Sequence, residues 1–210
     1  MIATFWTQPR IAGTLIVGAT LILLAVSLPF YIRGDVRAVE AQFRSIEVAV
    51  GNVPVLRVAS AGLGPWVTVM SAAMVLLALE LMERGSRIIP VLSIVALTVF
   101  TVAWVLESAF HTGVTVWAVK QLEAGRPVPE LFEQLKSWLN VYVQWMVNPL
   151  AFLAFLAFIG LSIGALRAGV LPGWAAWPVI VWSGVWLFVP FPLALFPIPV
   201  FMGAVMLIRG

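Results

Sequence analysis

The chain is an all-α, polytopic membrane protein by its sequence, a bundle of about six transmembrane helices with two further amphipathic helices on one side. Three observations predict this class. First, 62% of the 210 residues are hydrophobic and only 10% are charged, where soluble domains carry about 25% charged residues. Second, several apolar runs approach 20 residues, the length that crosses a hydrocarbon core of about 30 Å. Third, the runs are not the alternating segments of about 10 residues that build a transmembrane barrel. No stretch is long or polar enough for a separate soluble domain, so residues 1–210 form one transmembrane domain.

The first span covers about 11–32. It exceeds the 7–15 apolar residues of a signal-peptide core and no small-residue cleavage site follows, so it reads as a retained helix. From Asp35 to Gly51, Val36, Val39, Phe43, Ile46 and Val50 recur at steps of three and four, which places them on one helical face. Asp35 can cap that amphipathic helix and Gly51 can end it. The second span, about 60–82, stops at "LMERGSR", and the third, about 88–111, begins directly after it. A second amphipathic helix, about 129–145, carries Leu131, Phe132, Leu135, Trp138, Leu139 and Tyr142 on one stripe. Pro149 predicts a kink where that helix enters the fourth span at about 146–166. The fifth and sixth spans, about 174–190 and 193–208, are separated by "PFP" and followed by "PIP". They read either as two short crossings or as one broken, re-entrant element buried in protein.

Basic residues set an orientation. Arg10, Arg84, Arg87, Arg167 and Arg209 fall on one side, close to span ends. Seven others (Arg33, Arg37, Arg44, Arg57, Lys120, Arg126 and Lys136) lie in the longer loops of the opposite side, mixed with acids. The positive-inside effect acts on short flanks, so both termini are expected in the cytoplasm. The net charge of +3 thus describes topology, and nucleic acid is not an expected partner. With no cysteine, thiolate catalysis, thiolate metal sites and disulfides are excluded.

Glu107 and His111, the latter being the lone histidine, are the leading candidates for chemistry. At four residues apart they share a helical face, and Trp104 stands one turn below Glu107. A carboxylate beside an imidazole can relay a proton or hold a cationic ligand, and ionisable groups in a span are a functional signal. The competing reading is an interfacial ion pair: Glu107 lies 20 residues after Arg87, about 30 Å along a helix, near the far boundary. Secondary candidates are Glu80, which can pair with Arg84; Asn148, which can hydrogen-bond between helices; and Trp182 with Trp186, which can pack on a helix or on a flat lipid or pigment. Trp6, Trp66, Trp117, Trp138, Trp174 and Trp177 fit an aromatic belt at the membrane interfaces. The pairs Met70/Met74 and Met202/Met206 are packing residues before they are soft-metal ligands. No phosphate loop, nucleophile elbow or zinc-protease motif is present, no metal site is expected, and no cofactor is specified.

Two segments, "PRIAGTLIVGATLILLAVSLP" and "RAGVLPGWAAWPVIVWSGVWLF", carry Arg10, Ala12 and Gly13, then Gly169, Leu171, Pro172 and Trp174. They resemble parts of uncharacterised small bacterial six-helix integral membrane proteins. The resemblance implies a bacterial six-helix protein and transfers no catalytic residue.

The function expected from these features is non-enzymatic: a membrane module that binds or moves an apolar or amphipathic ligand such as a lipid. The alternative is a structural or accessory subunit of a larger membrane complex, with a membrane protein partner or a second copy on the amphipathic stripes. An intramembrane enzyme using Glu107 and His111 is the third class.

Overall fold

The computed structural model describes residues 7–33, 53–126, 141–188 and 195–209, together with Glu133 and Ser137. Among them are six α-helices and no strand: α1 (Gln8–Arg33), α2 (Val53–Glu83), α3 (Ile88–Glu123), α4 (Asn148–Arg167), α5 (Gly173–Phe188) and α6 (Pro197–Arg209). Both expected amphipathic helices fall largely outside these residues; of the second, Glu133 and Ser137 are helical and exposed, and 141–145 are helical, with Tyr142 half-buried against the core.

Four helices contain segments long and apolar enough to cross a membrane: Gln8–Ala25, Gly64–Glu83, Ile88–Phe110 and Trp145–Arg167. The last two helices are shorter, 16 residues for α5 and 13 for α6. At 1.5 Å per residue they reach about 24 and 20 Å, less than the hydrocarbon thickness of about 30 Å.

Neighbouring helices run antiparallel, and glycines end them sharply. Gly85 (φ 95°), Gly125 (φ 70°) and Gly169 (φ 70°) adopt the left-handed conformation that L side chains disfavour. At Gly85 the Ser86 amide donates to the Leu81 carbonyl at 3.0 Å, and at Gly169 the Val170 amide donates to the Ala165 carbonyl at 2.9 Å. These are the six-to-one bonds of a Schellman ending. They turn α2 into α3 and α4 into α5 within a few residues. As a result Arg10, Arg84, Arg87, Arg167 and Arg209 all lie at one end of the bundle, here called the arginine rim.

Pro149 does not act alone at the entry to α4. A π-helical turn, Val143–Val147, precedes it, and such turns bend helices by inserting a residue into the ladder. Pro149 then occupies the first turn of α4, where its missing N–H costs nothing.

Lipid tails are as apolar as leucine, so helices in a membrane associate through close packing and hydrogen bonds. Both are visible. A Cβ on Gly13 would stand 2.5 Å from the Gly203 carbonyl oxygen and 2.6 Å from the Leu207 nitrogen, so α1 and α6 touch backbone to backbone. Gly160 and Gly164 form a G-x-x-x-G pair on α4. A Cβ on Gly160 would meet Ile89 Cγ2 at 2.8 Å, and one on Gly164 would meet Leu81 Cδ1 at 3.0 Å. That pair seats α4 against both α2 and α3. Hydrogen bonds tie the same seams: Trp66 Nε1 donates to Thr20 Oγ1 at 2.9 Å, Ser93 Oγ to the Ala157 carbonyl at 3.4 Å, and Arg84 Nη1 to the Ala168 carbonyl at 3.0 Å. The Ser71 and Thr101 hydroxyls pair between α2 and α3.

The core runs through α2 and α4. Met74, Leu77, Leu81, Phe155, Phe158 and Leu161 are fully enclosed. Met70, Met202 and Met206 belong to the same cluster, so both methionine pairs are core packing. α5 leans on α4 and α6 leans on α1, and the two meet sparsely, near the arginine rim, where Arg209 lies over the Trp174 ring at 5.7 Å.

Gly13 and Gly18 separate close packing from helix propensity. Gly13→Ala is expected to cost about 1–3 kcal/mol, as overpacking does. Gly18→Ala, with nothing within 4 Å of its Cβ, is expected to be neutral or stabilising by up to about 1 kcal/mol. Unfolding of the purified protein in one detergent checks both; equal effects would refute the α1–α6 contact.

Candidate functional site

On α3 two stripes separate by their helical spacing. Phe100, Ala103, Trp104 and Glu107 fall on one face, and Val105, Ser108, Ala109, Gly113, Val116, Trp117 and Lys120 on another. The first face turns into the bundle. Phe100 and Trp104 are buried, with Trp104 at 7% exposure, and Glu107 is half-buried one turn above.

The interior face ends in an aromatic cluster. Phe196, at the start of α6, stacks tilted on Trp66 at 4.9 Å and meets Trp104 edge-on at 5.6 Å; Phe100 lies 5.6 Å from Trp104. The cluster closes the interior tightly: the cavity among Trp66, Met70, Phe100 and Phe196 is about 10 Å³, smaller than a water needs. Trp66, expected in the interfacial belt, is therefore an interior residue at 5% exposure. Its indole hydrogen bond to Thr20 satisfies the one polar atom that burial would orphan. Trp174 and Trp177 are exposed as a belt requires.

Each sequence candidate has a place. Glu107 accepts from the Ser108 hydroxyl at 3.5 Å, and Trp104 Nε1 is buried without a hydrogen-bond partner. His111 lies in α3 a turn beyond Glu107; its side chain is outside the described residues. Glu80 pairs with Arg84 at 2.7 Å, the helix-stabilising contact expected from their spacing. Asn148 opens α4, half-buried, with no interhelical hydrogen bond among the described residues. It stands about 28 Å above Arg167 along the helix, where headgroups and water can satisfy an amide. Trp182 and Trp186 contact each other at 5.9 Å; Trp186 leans on the core and Trp182 is 43% exposed.

The second face of α3 forms a lateral groove of about 950 Å³ against Gly64, Pro65, Thr68 and Val69 of α2. Ligand pockets commonly span about 300–1,000 Å³. Two glycines make its room. Neither Gly64 nor Gly113 has any atom within 4 Å of a hypothetical Cβ, unlike the glycines of the helix seams. Pro65 sits inside α2 and withholds the amide that would bond the Ala61 carbonyl. Thr68 Oγ1 turns back to the Gly64 carbonyl at 3.0 Å. The polar atoms of the groove are thus mostly engaged, which leaves its walls apolar. Trp117 and Lys120 stand at one end.

The groove follows α3 from Val105 to Lys120, about 22 Å of helix. Sequence reasoning did not find it. Its signal was present as a run of small residues at helical spacing, Ser108, Ala109 and Gly113, leading to Trp117 and Lys120.

The two buried indoles differ in a testable way. Trp66→Phe removes a made hydrogen bond and is expected to cost about 0.5–1.5 kcal/mol beyond its packing loss. Trp104→Phe removes an N–H with no partner and is expected to cost packing alone. The order of the two unfolding midpoints checks this; a larger loss for Trp104→Phe would contradict it.

No family model, curated protein or solved structure matches the chain, and what the groove can do rests on its own residues.

Proposed function

We propose that this protein is a non-enzymatic, multi-pass module of a bacterial cytoplasmic membrane that binds an amphipathic ligand, a lipid, in the α2–α3 groove. The observation that carries the reading is the groove itself: apolar walls, open sideways between two helices, ending at Trp117 and Lys120. An acyl chain fits between Gly64 and Gly113 where no side chain fills the space. Lys120 offers a cation to an acidic headgroup, and Trp117 suits the interface between tail and head.

The arginine rim faces the cytoplasm on this reading, with both chain termini there, since clustered arginines at helix ends are retained inside. Reporter fusions after Gly51, Arg84, Gly125 and Gly169 are expected to report outside, inside, outside and inside. Fusions at Gly51 and Gly125 on opposite sides would end this topology.

Native mass spectrometry after mild extraction tests the groove. Wild-type protein is expected to retain lipid. Ala109→Trp and Gly113→Trp fill the groove from α3, and each is expected to lower retention of acidic lipid by about tenfold or more, the equivalent of 1.4 kcal/mol. Val185→Trp, on an exposed position of α5 that packs on α4, adds the same bulk away from the groove and is expected to leave that retention unchanged. Folded groove variants that keep their full load of acidic lipid would reject the reading. Copurification of a stoichiometric protein partner, with no lipid, would favour an accessory subunit instead.

A further inference from the structure

At the arginine rim, far from the groove, three helices converge: α1 begins, α2 ends and α3 begins. Gln8, Leu79, Met82, Glu83 and Arg87 enclose a pocket of about 470 Å³ there. Its chemistry is two-sided. Gln8 Nε2 donates to Glu83 Oε1 at 3.0 Å, which holds the carboxylate in place and leaves its other oxygen able to accept. That second carboxylate oxygen is the acceptor a cationic group in the pocket can reach. Arg87 lies four residues after Glu83, but the Gly85 turn breaks the helix between them, and no ion pair joins the two among the described residues. The rim's helical ion pair is Glu80 with Arg84. Glu83 and Arg87 therefore bound one pocket with opposite charges that do not neutralise each other.

We propose that this pocket binds the headgroup of a zwitterionic aminophospholipid, with its primary ammonium on Glu83 and its phosphate on Arg87. Three features select that ligand. Glu83 disfavours a headgroup of net negative charge. Among the described residues the pocket presents a carboxylate acceptor and no aromatic face, so it suits an N–H donor over a quaternary ammonium, which is recognised by aromatic rings. The surroundings are apolar and open to lipid: Ile88 is 74% exposed, and Ile11, Leu15 and Leu79 are also exposed. A headgroup here has a place for its tails, whereas a soluble zwitterion has none. The N-terminal end of α3, beside Arg87, adds partial positive charge on the phosphate side, and the C-terminal end of α2, at Glu83, adds partial negative charge on the ammonium side.

The site is independent of the α2–α3 groove, and its test keeps the two apart. Protein carrying Gly113→Trp, and wild type in parallel, is reconstituted in nanodiscs containing equal fractions of phosphatidylethanolamine, phosphatidylcholine and phosphatidylglycerol. Lipid retained on release is read by native mass spectrometry. Phosphatidylethanolamine is expected to be retained over both others. Glu83→Gln is expected to lower its retention roughly fivefold and to abolish the preference over phosphatidylglycerol. Arg87→Gln is expected to lower retention of all three. Glu83 and Arg87 are exposed, so these variants keep the fold; Met82→Trp fills the pocket without touching its charges and is expected to give the same loss as Glu83→Gln. Equal retention of the three lipids, or a preference that survives Glu83→Gln, overturns the proposal.

Discussion

The bundle depends on how closely its helix backbones can approach. In water, burial of apolar side chains would hold such helices together. In hydrocarbon that drive is absent, and contact distance takes over. Gly13 and Gly203 let α1 and α6 touch main chain to main chain, and Gly160 with Gly164 seats α4 on α2 and α3. These seams determine the neighbours. α6 is bound to α1 and α5 to α4, so the last two helices diverge although a few residues separate them in sequence. Their divergence places Phe196 over Trp66 and Trp104, and the interior is sealed by rings.

The same residue type makes the groove by the opposite means. At Gly13 the missing side chain is replaced by a neighbouring backbone. At Gly64 and Gly113 nothing replaces it, and the space persists. A bundle with all its glycines in seams would have no lateral groove between α2 and α3. Polar groups follow a matching division. Within the spans, hydroxyls and indoles bond between helices or back to their own carbonyls, as Ser93, Thr68 and Trp66 do. Arg10, Arg84, Arg87, Arg167 and Arg209 stay at the rim, where burial costs are avoided.

Much of this was legible in the sequence, and the reason is periodicity and length. Apolar runs marked the helices, and the "RGS" and "RAG" turns marked where α2 and α4 end, because glycine is the residue that adopts a left-handed ending. The pairing of glycines was not legible. Nothing local to Gly13 says that it meets Gly203, and nothing local to Gly64 says that it meets nothing. Trp66 lies at the sequence position of an interfacial tryptophan, yet it is interior because α6 delivers Phe196 to it. The G-x-x-x-G at 160–164 was readable and names a contact surface without naming its partners. The groove escaped for the reason that it consists of small residues, which carry no chemistry of their own; Glu107 and His111 drew attention because they do.

α3 shows how one helix can serve both sides of that division. Its interior face carries Phe100 and Trp104 into the aromatic cluster, and its outer face carries Ser108, Ala109 and Gly113 along the groove. Trp104 and Val105 are adjacent in sequence and lie on opposite sides of the α2–α3 wall, one against Phe196 and one in the groove. The hydroxyl pair of Ser71 and Thr101 ties that wall together. Above it the helix continues to Glu123, so a single continuous helix sets both the packing of the interior and the full length of the groove from Val105 to Lys120, and a change that bends α3 has to alter both.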